Sequence, residues 1–198
     1  MKKPIWGLTG PTGSGKGAVG ALLIARGFEV IDTDALAREA VEPGSPCLAA
    51  LVNAFSPAIL RPDGTLDRAA LAERAFADKQ AQQTLNAIVH PAVIARTMEL
   101  LSGDTPVGFV IDAPLLFESG LSRVCDRTVA VLCDAAQRKA RIMRRDGLSD
   151  DRARLRMNAQ PDDAYYIEHA DAVIRNDGDL DALEAAVDAV FGGEGGVL

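Results

Sequence analysis

The chain has 198 residues, 48% apolar and 25% charged, with a net charge of −7. That composition suits one packed domain with room for a small inserted lobe, and it excludes wholesale disorder. The acidic balance argues against a general nucleic-acid binder, and no run approaches 18 apolar residues, so no membrane span is expected.

The first predicted strand is "PIWGLT", Pro4 to Thr9. Lys2 and Lys3 precede an apolar, Ala-rich region, but Gly10, Pro11, Gly13, Ser14 and Lys16 would break a secretory apolar segment, so a signal peptide is not expected. Overlapping the strand runs "GLTGPTGSGKGAVG", which fits the phosphate-cradling pattern G-x-x-x-x-G-K at Gly10, Gly15 and Lys16. Glycines let backbone N–H groups converge on phosphate oxygens, and the helix that follows, Gly17 to Arg26, adds its positive end. Lys16 supplies a point charge for the β- and γ-phosphates of ATP. The next position usually carries a Ser or Thr hydroxyl on the magnesium ion, but here it is Gly17. Either the site binds nucleotide without transfer, or water and a carboxylate elsewhere hold the metal. The second fits magnesium, which keeps several waters and needs few protein ligands.

A second strand, "FEVID" (Phe28 to Asp32), leads into Asp34. If the chain stays extended, Asp32 and Asp34 point the same way, and both carboxylates reach a cleft where an aspartate can orient an attacking hydroxyl and accept its proton. The alternative is that Asp34 caps the helical run that follows it. From Thr33 to Pro106 the pattern is mostly helical, with breaks expected at "EPGSP" (Glu42 to Pro46), "RPDG" (Arg61 to Gly64) and "HP" (His90, Pro91). We read residues 34–106 as a helical lobe gripping a second substrate, beside a core of 1–33, 107–137 and 158–198.

Three more strands follow: "VGFVIDA" (Val107 to Ala113), "RTVAVLC" (Arg127 to Cys133) and "DAVIRN" (Asp171 to Asn176). Nearly continuous apolar strands alternating with helices predict an α/β doubly wound fold with a five-stranded parallel sheet and ligands at the strands' carboxyl ends. Asp112 then sits where a magnesium-binding carboxylate is usual, or is a turn residue before Pro114. Glu118 reads equally as ligand or solvated helix residue. Between Arg138 and Arg156 lie eight of the 21 Lys and Arg residues, with Arg138, Arg141 and Arg145 on one helical face. We read 138–157 as a small arginine-rich lid that binds phosphate oxygens; the alternative is a solvated, salt-bridged helix pair. Cys47, Cys125 and Cys133 are too scattered for a disulfide framework or a zinc site, which suits a cytoplasmic setting. The tail Gly192 to Leu198 reads as a frayed end.

Taken together, "TGPTGSGKG", "VIDTDALAREAVEPGSP", "DGTLDRAAL", "LNAIVHP", "DAPLLFE", "RRDG" and "NDG" resemble the dephospho-CoA kinase family from about Ile5 to Gly178. The resemblance implies a three-layer P-loop NTPase fold and ATP-dependent phosphorylation of the ribose 3′-hydroxyl of dephospho-CoA with Mg2+. By matching motif it implies Asp34 as base, with Lys16, Arg141 and Arg145 catalytic. It implies Pro11, Thr12, Gly13, Ser14, Gly15, Lys16, Gly17, Ala18, Arg141 and Asn176 around ATP, with Asn176 near the adenine. Asp34, Arg38, His90, Leu115 and Glu118 would hold the acceptor, and Asp112 and Asp32 the metal. His169 matches nothing and stays structural. Tyr165 and Tyr166 stand where relatives commonly have a basic residue, so a lid contact is missing or comes from elsewhere. Partners are expected to be the two small substrates, with neither nucleic acid nor membrane, in a monomer or weak homo-oligomer. The competing readings are a kinase for another small hydroxyl substrate and a nucleotide sensor; the long helical lobe and "DTDALAR" weigh against the former.

Overall fold

A computed structural model describes residues 3–192; beyond Gly192, the expected frayed tail lies outside the described residues. The chain forms two compact units. One holds the chain up to Ile31 and again from Asp104, the other Asp32–Gly103.

The first unit is built on strands β1 (Ile5–Thr9), β2 (Glu29–Asp32), β3 (Phe109–Asp112), β4 (Arg127–Leu132) and β5 (Ala172–Arg175), in the order β2-β3-β1-β4-β5. β1 lies at the centre, parallel to β3 with Leu8 opposite Asp112, and parallel to β4 with Thr9 opposite Ala130. β4 continues parallel into β5. All five strands stand where the apolar runs place them, each trimmed by a residue or two at its ends. Both faces are covered, which is why the runs are continuous rather than alternating. On one face Trp6, Leu8, Val129 and Val131 pack with Leu23 of α1 (Lys16–Ala25) and Val187 of α9 (Leu180–Phe191). Phe191 closes this layer, its ring 4.5 Å from Trp6. On the other face Ala130 and Leu132 meet Tyr166 of α8 (Asp163–His169). The same unit carries α6 (Ala135–Asp146) and α7 (Asp150–Asn158), joined through Gly147 in the left-handed region.

The second unit is helical: α2 (Thr33–Glu39), α3 (Pro46–Phe55), α4 (Arg68–Ala75) and α5 (Lys79–Leu100). Its own core centres on Leu51, Phe55, Ile59, Leu71 and Ala75. Two of the three expected breaks are real. Ser45 caps α3, accepting from Leu48 N–H at 3.1 Å with Pro46 in the first turn. Asp63 closes the second turn, accepting from Thr65 N–H at 2.9 Å. The third expectation is corrected: α5 runs through His90 and Pro91 without stopping. A proline forfeits one helical hydrogen bond and crowds the preceding turn. Here α5 packs against α2, α3 and α4 along its 22 residues, and tertiary burial outweighs that local penalty.

Candidate active site

The loop after β1 owes its path to glycine. At Gly10, φ is +145°, and a Cβ would lie 2.3 Å from the Val131 carbonyl oxygen. At Gly15, φ is +94°, and a Cβ would lie 1.9 Å from Asn176 Nδ2. Only glycine fits either place. Gly15 is also the N-cap of α1 and offers no side chain, so nothing of its own covers the helix terminus. Within the loop, Ser14 N–H donates to Pro11 O and Thr12 N–H to Gln160 Oε1. The N–H groups of Gly13, Gly15, Lys16 and Gly17 have no acceptor among the described residues. Four free amides beside a helix N-terminus form a cradle for polyanionic phosphate.

Several side chains brace this cradle from far along the chain. Asn176, nearly buried at the end of β5, donates through Nδ2 to Ser14 O at 2.8 Å. Arg141 donates to Ser14 O at 3.2 Å and to Asn176 O at 3.1 Å. Arg138 is buried, donating to Thr12 O at 3.3 Å and pairing with Asp163 at 3.3 Å. Arg145 reaches Thr12 Oγ1 at 3.3 Å while gripping Asp146 at 2.8 and 2.9 Å. So the three arginines of one helical face all meet the loop, but Arg138 is a buried strut rather than a mobile lid group.

Lys16 Nζ is bound to the Asp112 carboxylate, and both side chains are mostly buried. The register that sets Leu8 opposite Asp112 brings this acid to the loop. Asp112 Oδ2 lies 3.8 Å from where a Cβ on Gly20 would stand. Gly17 is exposed, and a Cβ there would meet nothing within 4 Å. Among the described residues no three His, Cys, Asp or Glu side chains form a metal-binding group. Ser14 Oγ is buried with no hydrogen-bond partner among the described residues. This donor set fits a divalent ion whose ligands are mostly phosphate oxygens and water, with one carboxylate, and not a metal caged by protein alone.

The acids after β2 differ from the expected pair. Helix α2 begins at Thr33, so Asp32 and Asp34 do not lie two apart on an extended strand. Asp32 is the cap, its Oδ1 accepting from Asp34 N–H at 2.8 Å and Ala35 N–H at 3.1 Å. Its Oδ2 lies 3.6 Å from Arg38. Asp32 thus caps α2 through one oxygen and faces Arg38 with the other. Asp34 sits exposed in the first turn, and its carboxylate has no partner among the described residues. His90 lies mid-helix on α5, where burial pushes its pKa below the ordinary value and favours the neutral ring.

Leu115 and Glu118 occupy turns between β3 and β4, both exposed; Glu118 is not on a helix. Burial raises the pKa of Tyr165, and the negative charge of nearby Glu118 adds to it. Tyr165 stacks on His169, ring centroids 4.3 Å apart, and Tyr166 is buried in the core. Tyr165 and Tyr166 are therefore packing groups, and His169 packs in the same ring cluster. Sequence reasoning missed Gln160, a lone glutamine in a turn with no local signal, although it holds a loop amide.

The family model for dephospho-CoA kinase matches residues 4–182. The chain belongs to the dephospho-CoA kinase family. Family relatives include the dephospho-CoA kinase of Corynebacterium glutamicum, 43% identical, with 90% of this chain and 91% of that one covered. That of Anaeromyxobacter dehalogenans is 44% identical, with 93% and 89% covered. A solved Thermus thermophilus protein superposes with a TM-score of 0.85 at 37% identity, over 97% of this chain and 98% of that one. A Campylobacter jejuni dephospho-CoA kinase (TM-score 0.68, 24% identity, 94% of each chain) is alike in fold. So is an Acinetobacter baumannii shikimate kinase (TM-score 0.57, 14% identity, 97% of this chain and 95% of that one). The fold is that of P-loop kinases, the family is one of kinase enzymes using ATP, and the phosphate cradle is its P-loop. Among the described residues no helix is long and apolar enough to cross a membrane.

Proposed function

We propose that Asp34 accepts the proton of the ribose 3′-hydroxyl of dephospho-CoA as that oxygen attacks the γ-phosphorus of an ATP seated in the P-loop. The reaction follows from family membership: ATP-dependent phosphorylation of dephospho-CoA to coenzyme A, with ADP released, the last step of coenzyme A synthesis. The new O–P bond forms as the bond from the γ-phosphorus to the β–γ bridging oxygen breaks.

The observation that carries this reading is the set of four unclaimed amides at Gly13, Gly15, Lys16 and Gly17. Preorganised donors of this kind stabilise the triphosphate and the charge that develops on transfer. Lys16 moves from Asp112 to the β- and γ-phosphates. Arg141 and Arg145, already at the loop, add planar donors for phosphate oxygens. Asp34 suits a base because its carboxylate is exposed and has no partner among the described residues. Arg38, His90, Leu115 and Glu118 are assigned to the acceptor, and Asn176 to the adenine side of the loop it braces. Asp112 would hold Mg2+ together with the phosphates, with water standing where Gly17 lacks a hydroxyl. When bound, the metal would neutralise charge on the β- and γ-phosphate oxygens. The setting proposed is the cytoplasm, without membrane or nucleic acid, as a monomer or weak homo-oligomer.

Mass spectrometry of dephospho-CoA incubated with ATP, magnesium and protein tests this reading. One added phosphate is expected. Asp34→Asn should keep ATP affinity and lose at least about a hundredfold in turnover, the scale of lost acid–base catalysis. Near-normal turnover would overturn the base assignment.

A further inference from the structure

Thr12 is the apex of the P-loop, and each of its polar atoms is claimed from a distance. Its N–H donates to Gln160 Oε1 at 2.8 Å, across 148 positions of sequence. Its carbonyl accepts from Arg138, and its hydroxyl accepts from Arg145, both on α6. Gln160 stands on the connection between α7 and α8. Both ends of the arginine-bearing α6–α7 pair therefore converge on one loop residue.

We propose that Gln160 is a positioning residue for ATP. It withdraws the Thr12 amide from the cradle and fixes the loop apex, so that the amides of Gly13, Gly15, Lys16 and Gly17 remain aimed at phosphate. A glutamine does this as a neutral acceptor; a carboxylate in its place would bring a second anion toward the triphosphate. Because the tie exists before nucleotide arrives, it acts on ground state and transition state alike. Its loss therefore raises KM and leaves kcat. The inference rests on the reading of this loop as an ATP site.

The experiment compares wild type, Gln160→Met and Gln160→Glu. Amide hydrogen exchange at Thr12 is followed by NMR, ADP binding by calorimetry, and steady-state kinetics in both substrates. Gln160→Met should exchange Thr12 N–H about tenfold faster, the scale of one hydrogen bond. It should raise ADP Kd and ATP KM by about 3- to 10-fold, with kcat within about twofold and KM for dephospho-CoA unchanged. Gln160→Glu retains the acceptor and should keep Thr12 protected. The proposal is overturned if Thr12 exchange is unaltered in Gln160→Met, or is as fast in Gln160→Glu. Faster exchange with unchanged ADP affinity and ATP KM also overturns it, since that marks a structural tie only. If wild type itself failed to bind ADP, the ATP reading would fall and this inference with it.

Discussion

Lys16 and Asp112 form an ion pair at the mouth of the P-loop, with side chains only 18% and 13% exposed. The lysine proposed for phosphate is therefore paired, in this structure, with the acid proposed for the metal. Asp112→Asn should strengthen ATP binding without magnesium, because it removes an anion from the cradle and releases the lysine. With magnesium present, the affinity gain should shrink and turnover should fall by about a hundredfold or more. Lys16→Ala should weaken binding under both conditions. Calorimetry with and without magnesium separates the cases, and an Asp112→Asn protein with an unchanged metal effect would rule out its ligand role.

Gly17→Ser tests the missing hydroxyl. A Cβ at Gly17 meets nothing within 4 Å, so the substitution should leave stability within about 0.5 kcal/mol. On the proposed reading of this corner, a serine there should ligate the metal directly and increase the ratio of ADP affinities with and without magnesium several-fold. An unchanged ratio would show that this corner does not face the metal.

Gly15→Ala should leave the fold intact and lose the nucleotide site. A side chain at φ +94° costs about 1–3 kcal/mol. The added Cβ also drives Asn176 from Ser14 O. Melting temperature should drop by several degrees, while ADP binding falls below detection in calorimetry. Retained binding would mean that the loop needs neither the left-handed turn nor its brace.

Alkaline pH should destabilise the protein through Cys125 and Tyr166. Burial, helped by Asp126 and Asp171, pushes Cys125 up from an ordinary 9.0 to about 12. Burial likewise pushes Tyr166 from 10.0 to about 12. Each pKa is higher in the folded chain, so the unfolded chain releases these protons first. The stability is full below about pH 9 and is lost as pH rises toward 12. Urea unfolding at pH 7, 9 and 10.5 should show the fall, and Cys125→Ala should lessen its slope. A flat profile above pH 9 would refute the burial argument.

The sheet and the P-loop were legible because their signals are local. Buried parallel strands read as short apolar runs, and the loop's glycines and Lys16 hold a fixed spacing. Local reading failed where tertiary contacts or a change of period decide. His90-Pro91 looked like a stop, yet α5 continues because it packs on three other helices. Asp32 and Asp34 looked like a strand pair, yet the chain turns helical at Thr33 and makes the first a cap. Asn176 was legible only as part of a resemblance, and Gln160 not at all. Their bonds to the loop span 162 and 148 positions, and no window of sequence records a partner that far away.

The position of β1 between β3 and β4 bears on how the protein is made. The strand that launches the P-loop is made before either of its neighbours, which lie a hundred residues or more downstream. Meanwhile the intervening helices already possess an apolar centre of their own. They can compact while β1 still waits with two bare edges, and closing so long a loop is slow. The helical unit can therefore compact before the central strand finds its partners, and until then β1 carries the unpaired edges that favour misassociation.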